Sequence, residues 1–366
     1  MAKAPSKSPS SNTAAATWVF NFESSASLLL ALGSLLAAWH ARQILPANGL
    51  YSFWESCLLP VQLPVFYFGY GYLYQRRWQV ASLRSWWGSV RYELANLLTP
   101  FAFITVLTLA VRSWLHTGAG LTPEHLAVAL FVDPVIPVGF FLVALVFYLL
   151  IPSFTSKHAA AVGVGISLLL KIAVVIAACS PEGQGLLGSL PYVVANGCDN
   201  ALWFCGGMAL ALEECQGQNS QRMRGARLPR AVKITGPLVL WLGLALGCWW
   251  LYGQGPMSLG CLEAVLVGAG LGAGTLLYRE LFGMQGRQWR FFSLVDGYTK
   301  GIWLLHPLCL ELWFYWAQGA HLGAVGTVAG SLAAAYLVPV AINVMLDHLG
   351  RLGFLVNPNR YLAKPR

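Results

Sequence analysis

Charge is what this sequence has least of. Of its 366 residues only 10% are Asp, Glu, Lys or Arg, while 57% are hydrophobic; a soluble domain carries about 25% charged residues. A surface facing water on every side cannot be covered with so few, so a soluble globular domain is excluded. The mean hydropathy of +0.60 agrees. Metal-binding spacing is also missing. The eight cysteines form no C-x-x-C pair and no Cys/His cluster of the zinc type, so no metal is expected. No small-x-small cleavage site follows the first apolar run, so no signal peptide is read there. No repeat divides the chain into matching halves, which counts against an inverted-repeat carrier. The net charge is +9, yet the basic residues lie scattered in short loops, and nucleic acid is not an expected partner.

Long apolar runs are what the chain does have. A helix needs about 20 apolar residues to cross the hydrocarbon of a bilayer. Ten segments qualify: 24–41, 51–74, 96–115, 134–154, 158–179, 190–212, 233–252, 257–279, 291–316 and 321–346. The expected fold is therefore all-α, a polytopic membrane bundle of about ten transmembrane helices. Residues 1–22, polar and rich in Ser, Ala and Pro, read as a disordered cytoplasmic tail. Residues 23–348 form the membrane domain, and 349–366 a basic cytoplasmic tail.

The loops set the direction. With the N-terminus inside, nineteen of the 23 basic residues fall on the inner side, and only Arg42 and Arg112 fall outside; Lys171 and Lys300 lie within spans. This is a strong positive-inside bias. It predicts a multi-pass cell-membrane protein with both termini cytoplasmic and membrane lipids as partners. The segment 213–233, with Arg222, Arg224, Arg227 and Arg230, is expected to meet anionic lipid. Cys57, Cys179, Cys248 and Cys261 fall near the outer face, either as a disulfide pair or as buried thiols.

Several spans carry polar groups that are expensive in hydrocarbon. A charge at the bilayer centre costs about 2.5–3.5 kcal/mol on insertion scales. Here His40, Glu55, Lys171, Asp199, Glu263, Asp296, Lys300, His306 and Glu311 lie in or at the ends of apolar runs. Depth along each span gathers most of them in a polar layer of the outer half. Asp296 and Lys300 sit lower and, four residues apart, can pair on one helix face. Lys171 either binds an anionic group or pairs with Asp199. Glu55 and Glu263 begin spans at the outer side, where interfacial capping is the plainer role. Pro307 removes a backbone N–H and frees the carbonyl of Trp303, four residues earlier.

With the spans placed, five stretches resemble, in order, the signatures of the acyltransferase-3 family of polytopic membrane acyltransferases. "LLALGSLLAAWHA" (29–41) is similar to its first helix, which ends in histidine. "LPVFYFGYGYLYQRRW" (63–78) resembles the second-helix motif with its basic exit. "RYELANLLTPFAFI" (91–104) and "PVGFFLVALVFYLLIPSF" (137–154) resemble the next two. "GIWLLHPLCLEL" (301–312) is similar to the late helix with aromatic-Leu-Leu-His-Pro. One departure is Leu29, where the family's first helix usually has arginine.

The resemblance implies a membrane enzyme that moves an acyl group, usually acetyl, from an acyl-CoA donor to a hydroxyl of an envelope carbohydrate or glycolipid acceptor. Histidine suits the task of taking the hydroxyl proton near neutral pH. His40, by its position in the resemblance, is the candidate base, and His306 a second catalytic or supporting group. Glu55, Lys171, Asp199, Asp296 and Lys300 are candidate acceptor-binding residues. Arg76, Arg77, Arg84 and Arg91, on the cytoplasmic side, are candidates for holding the phosphates of acetyl-CoA or another acyl-CoA, since guanidinium forks match phosphate geometry. Two other readings stay open: a carrier or flippase for a lipid-linked sugar, and an inactive scaffold of the same fold.

Overall fold

The computed structural model describes residues 17–46, 49–55, 59–77, 82–117, 120–135, 138–217, 229–252, 259–283, 289–320 and 322–362. Among these, every regular element is helical. The main rods are α1 (Thr17–Ala41), α2 (Leu59–Arg77), α3 (Leu83–Leu115), α4 (Gly139–Leu150), α5 (Lys157–Ala178), α6 (Tyr192–Gly217), α7 (Arg230–Tyr252), α8 (Leu259–Tyr278), α9 (Arg290–Gly319) and α10 (Ala324–His348). Five helices are long and apolar enough to cross a membrane: α1, α3, α5, Glu263–Phe282 within and beyond α8, and α10.

Local chemistry fixes the starts. Ser82 accepts the Ser85 amide at 3.2 Å while Ser85 Oγ accepts the Ser82 amide at 3.0 Å, a capping box that opens α3. Ser156 accepts the Ala159 amide at 3.1 Å and opens α5. α10 passes through a π-helical turn at Ala333–Leu337.

The centre of the bundle is the crossing of α2 and α6. A Cβ on Gly71 would strike the Phe204 carbonyl, and one on Gly207 would strike that of Phe68. Glycine at both positions lets the two backbones touch, the usual device where helices pack without water. An aromatic core of Tyr67, Phe140, Phe141, Tyr148, Phe204 and Trp303 fills the space toward α4 and α9.

Cross-helix ties give the directions. Ser24 meets Thr299 and Ser34 meets His306, so α1 and α9 run parallel. Leu28 receives a bond from Tyr336 and Trp39 gives one to Ser331, so α10 runs against α1. Ser167 meets Cys205 and Lys171 meets Asp199, so α5 and α6 are antiparallel.

Three boundaries differ from the sequence reading. α1 begins at Thr17, and Trp18, Val19, Asn21 and Phe22 are buried, so residues 17–22 belong to the bundle. Segment 134–154 is helical only over twelve residues, about 18 Å at 1.5 Å per residue, short of a hydrocarbon core of about 30 Å. The chain continues extended, and the Gln75 amide serves both backbone groups of Phe154, at 2.8 and 2.7 Å. That satisfies irregular backbone in an apolar surrounding. Finally, residues 350–360 fold back as two 3₁₀ turns, with Val356 and Asn357 buried.

Candidate functional site

A polar cavity of about 300 Å³ lies where the early turns of α1, α3 and α9 meet the last turns of α2, with the C-terminal turns beneath it. Two carboxylates and two cations line it: Glu23, Glu93, Arg77 and Lys300. Arg77 Nη1 lies 3.9 Å from Glu93 Oε1, and Asn96 Nδ2 donates to Glu93 Oε2 at 3.2 Å. Lys300 Nζ sits 5.7 Å above the ring of Phe141, a cation–π arrangement. The C-terminal turns are tied in by Tyr92 donating to Asn359 at 3.2 Å and Asn357 to Asn343 at 2.8 Å.

Two lining residues present polar atoms with no protein partner. Asn96 Oδ1 and Trp303 Nε1 are themselves buried and make no hydrogen bond, both on residues 3% exposed. Buried polar atoms are rarely left so. With both charge signs on its wall and a mutually stacked Phe66–Trp303 pair beside them, the cavity suits a polar ligand bearing both donors and acceptors.

His306 lies one turn beyond Trp303 on α9 and is 1% exposed. Its Nδ1 lies 2.9 Å from the Trp303 carbonyl and 3.0 Å from that of Ile302. Carbonyls only accept, so Nδ1 carries the proton, and Nε2 is left to accept from Ser34 Oγ at 3.0 Å. His40, at the other end of α1, is half-buried. Its ring stacks on Tyr51 at 4.3 Å, and its Nδ1 lies 3.2 Å from the Leu45 carbonyl. Tyr51 in turn donates to Glu55 at 3.3 Å, so His40 and Glu55 share one cluster. The six residues from Ser34 to His40 span about 9 Å of helix axis, and neither histidine lines the polar cavity.

The remaining candidates separate. Lys171 donates to Asp199 at 2.6 Å, the ion pair that competed with anion binding as its role. Arg76 is engaged with Tyr72 at 2.8 Å and Glu214 at 3.3 Å, and Glu214 also holds Arg279 at 3.0 Å and receives the Tyr72 hydroxyl. Of the four arginines, then, only Arg77 reaches the cavity. Arg84 and Arg91, two turns apart on α3, are exposed. Glu311 is paired at 3.2 Å with Arg112.

The expected Asp296–Lys300 pair, the arginines at 222, 224 and 227, and the cysteines at 57, 248 and 261 involve side chains outside the described residues. Cys179 carries a free thiol. Among the described residues no group of three or more His, Cys, Asp or Glu could hold a metal.

Sequence reasoning missed Glu23, Glu93, Asn96, Asn357 and Asn359. Glu23 fell at the edge of a presumed tail, and the last two fell inside one. Glu93 was read as loop, though it is 2% exposed. A carboxylate three residues before an amide at the start of an apolar run, on one helix face, was the available signal.

Fold and site together define an all-helical protein with several helices of membrane-crossing length and an internal polar cavity. No family model, curated protein or solved structure matches the chain.

Proposed function

We propose that the protein is a membrane-bound O-acyltransferase that takes an acetyl or other short acyl group from acyl-CoA and delivers it to a hydroxyl of an envelope carbohydrate or lipid-linked glycan. In this reading the chain has ten spans with both termini cytoplasmic. The alternating helix directions support it: α1 and α9 run together and α10 runs against them, as odd and even spans must. Glu214 gathers the ends of α2 and α6 and the turn after α8 at one level, as three even spans returning to one face require.

The observation that carries the reading is the polar cavity at the arginine-bearing end of an otherwise apolar bundle. Arg77 lines it, and Arg84 and Arg91 stand exposed on α3; in this reading the three offer a cationic approach for the donor's phosphates. The acyl-bearing arm enters the cavity past Lys300, the ammonium that lines it. The acceptor comes from the opposite face, where His40 takes its proton. The hydroxyl oxygen bonds to the acyl carbon, the carbon–sulfur bond breaks, and the CoA thiolate leaves to be protonated. Neither histidine lines the cavity, so this reading requires the thioester to pass the Trp303 side chain and reach His40 before the hydroxyl attacks it.

The test is acceptor acylation by a folded His40→Ala variant. Loss of transfer with acyl-CoA still bound supports the reading, and unchanged transfer rejects His40 as the base. A carrier of lipid-linked sugar is the second reading. It is favoured by the break after α4, since irregular backbone at membrane depth is found where it lines a path. It predicts no acyl-CoA turnover by the purified protein.

A further inference from the structure

A second, larger space lies on the other side of the bundle. It is a groove of about 910 Å³ between the end of α4, one face of α5 and the start of α6. Its floor is shaped by small residues, Ala159 and Gly163 on α5 and Gly197 and Ala201 on α6. Its walls are aliphatic and aromatic. Its exposed polar residues are at one end, where Thr155 and His158 line the mouth and exposed Lys157 precedes His158 in the chain, while Ser153 and Ser167 are buried. From His158 to Leu170 the groove follows α5 for about 18 Å at 1.5 Å per residue. One leaflet of hydrocarbon, half of about 30 Å, is nearly that deep.

We infer that this groove is a binding site for one acyl chain of an anionic phospholipid, with the phosphate headgroup at Lys157 and His158. The one-ended polarity selects an amphiphile, the length selects a single leaflet-deep chain, and the cation at the mouth selects negative charge. The site shares no residue with the polar cavity, and its occupancy does not depend on the acyl-transfer reading.

Gly197 makes the test clean, because a Cβ there meets no atom within 4 Å. A tryptophan at that position starts from an unobstructed Cβ on the groove floor and fills the space a chain would occupy. The full-length protein is reconstituted in nanodiscs of equal phosphatidylglycerol and phosphatidylcholine, extracted into detergent and weighed by native mass spectrometry. One retained phosphatidylglycerol per chain is expected, and none in Gly197→Trp. Lys157→Gln should reduce the preference for phosphatidylglycerol about fivefold, the equivalent of about 1 kcal/mol per basic residue at a charged lipid surface. Retention that Gly197→Trp does not change, a retained mass that is not a phospholipid, or equal retention of both lipids by the unmodified protein would overturn the assignment.

A second measurement needs no variant. Phosphatidylglycerol with a photoreactive group at mid-chain should cross-link within 159–170 and 194–205. Cross-links spread evenly over the exposed face of α5 would also overturn the site.

Discussion

His306 Nδ1 donates at 2.9 Å to the carbonyl of Trp303, the acceptor that Pro307 leaves open by lacking an N–H. The His-Pro pair in the middle of α9 is thus a self-contained repair. Proline removes one rung of the helix, the preceding imidazole replaces it, and the same ring ties α9 to α1 through Ser34.

The first prediction follows from that repair. His306→Ala strands the Trp303 carbonyl and the Ser34 hydroxyl in the core, at about 1–3 kcal/mol for each unsatisfied group. Pro307→Ala restores an N–H for the carbonyl. The double variant should therefore unfold at a higher temperature than His306→Ala alone, in thermal melts of detergent-solubilised protein. Additive losses would show that the imidazole is not replacing the missing rung.

Trp303 gives the second. Its Nε1 has no protein partner, so Trp303→Phe removes a donor that the fold does not use while keeping a stacking ring against Phe66. The lost ring volume in the packed core should lower stability by about 1–3 kcal/mol. Affinity for acyl-CoA, read by calorimetry, should fall by about 0.5–1.5 kcal/mol, the net worth of one neutral hydrogen bond. That loss of stability with unchanged affinity would place the indole in packing alone.

The sequence made the helical class legible because composition leaves no alternative, and the positions of most rods followed from the apolar runs. The site was less legible. A hydropathy reading leaves Glu23 and Glu93 just outside the spans 24–41 and 96–115, because one carboxylate lowers a window average whether it faces water or a cavity. Burial of 2% at Glu93 arises only when α3 is laid against α4, α9 and the C-terminal turns. Likewise, Arg76 and Arg77 are neighbours in sequence, but successive helical positions lie about 100° apart. One therefore faces Glu214 and the other the cavity. The Lys171–Asp199 pair was open to sequence reasoning because both residues fall deep in adjacent apolar runs, where each needs a partner.

Glu214 supports the third prediction. It is 17% exposed and is shared by Arg76, which is 11% exposed, and Arg279, which is 40% exposed. Removing the carboxylate leaves Arg76 buried without its counter-ion, and breaking a buried pair costs about 3–5 kcal/mol. Arg279→Ala removes only a half-exposed partner, worth about 0–1 kcal/mol. Glu214→Ala should therefore melt well below Arg279→Ala. Equal melting temperatures would show that the cluster does not join the ends of α2 and α6.

The fourth concerns Lys171 and Asp199, 2.6 Å apart. If Lys171 serves only to neutralise Asp199, the pair is replaceable as a unit. Lys171→Met leaves an unpaired carboxylate in an apolar surrounding, and Asp199→Leu an unpaired ammonium; each should destabilise the protein. The double variant removes both charges and should recover about 0.5–3 kcal/mol relative to the sum of the singles, the coupling expected of residues in contact. Acyl transfer separates this from a role in acceptor binding. A purely structural pair predicts that the double variant, once folded, turns over acceptor at close to the original rate. If Lys171 instead holds an anionic group of the acceptor, the double variant regains its melting temperature yet shows a raised KM for acceptor, because no repacking with leucine and methionine can replace the ammonium.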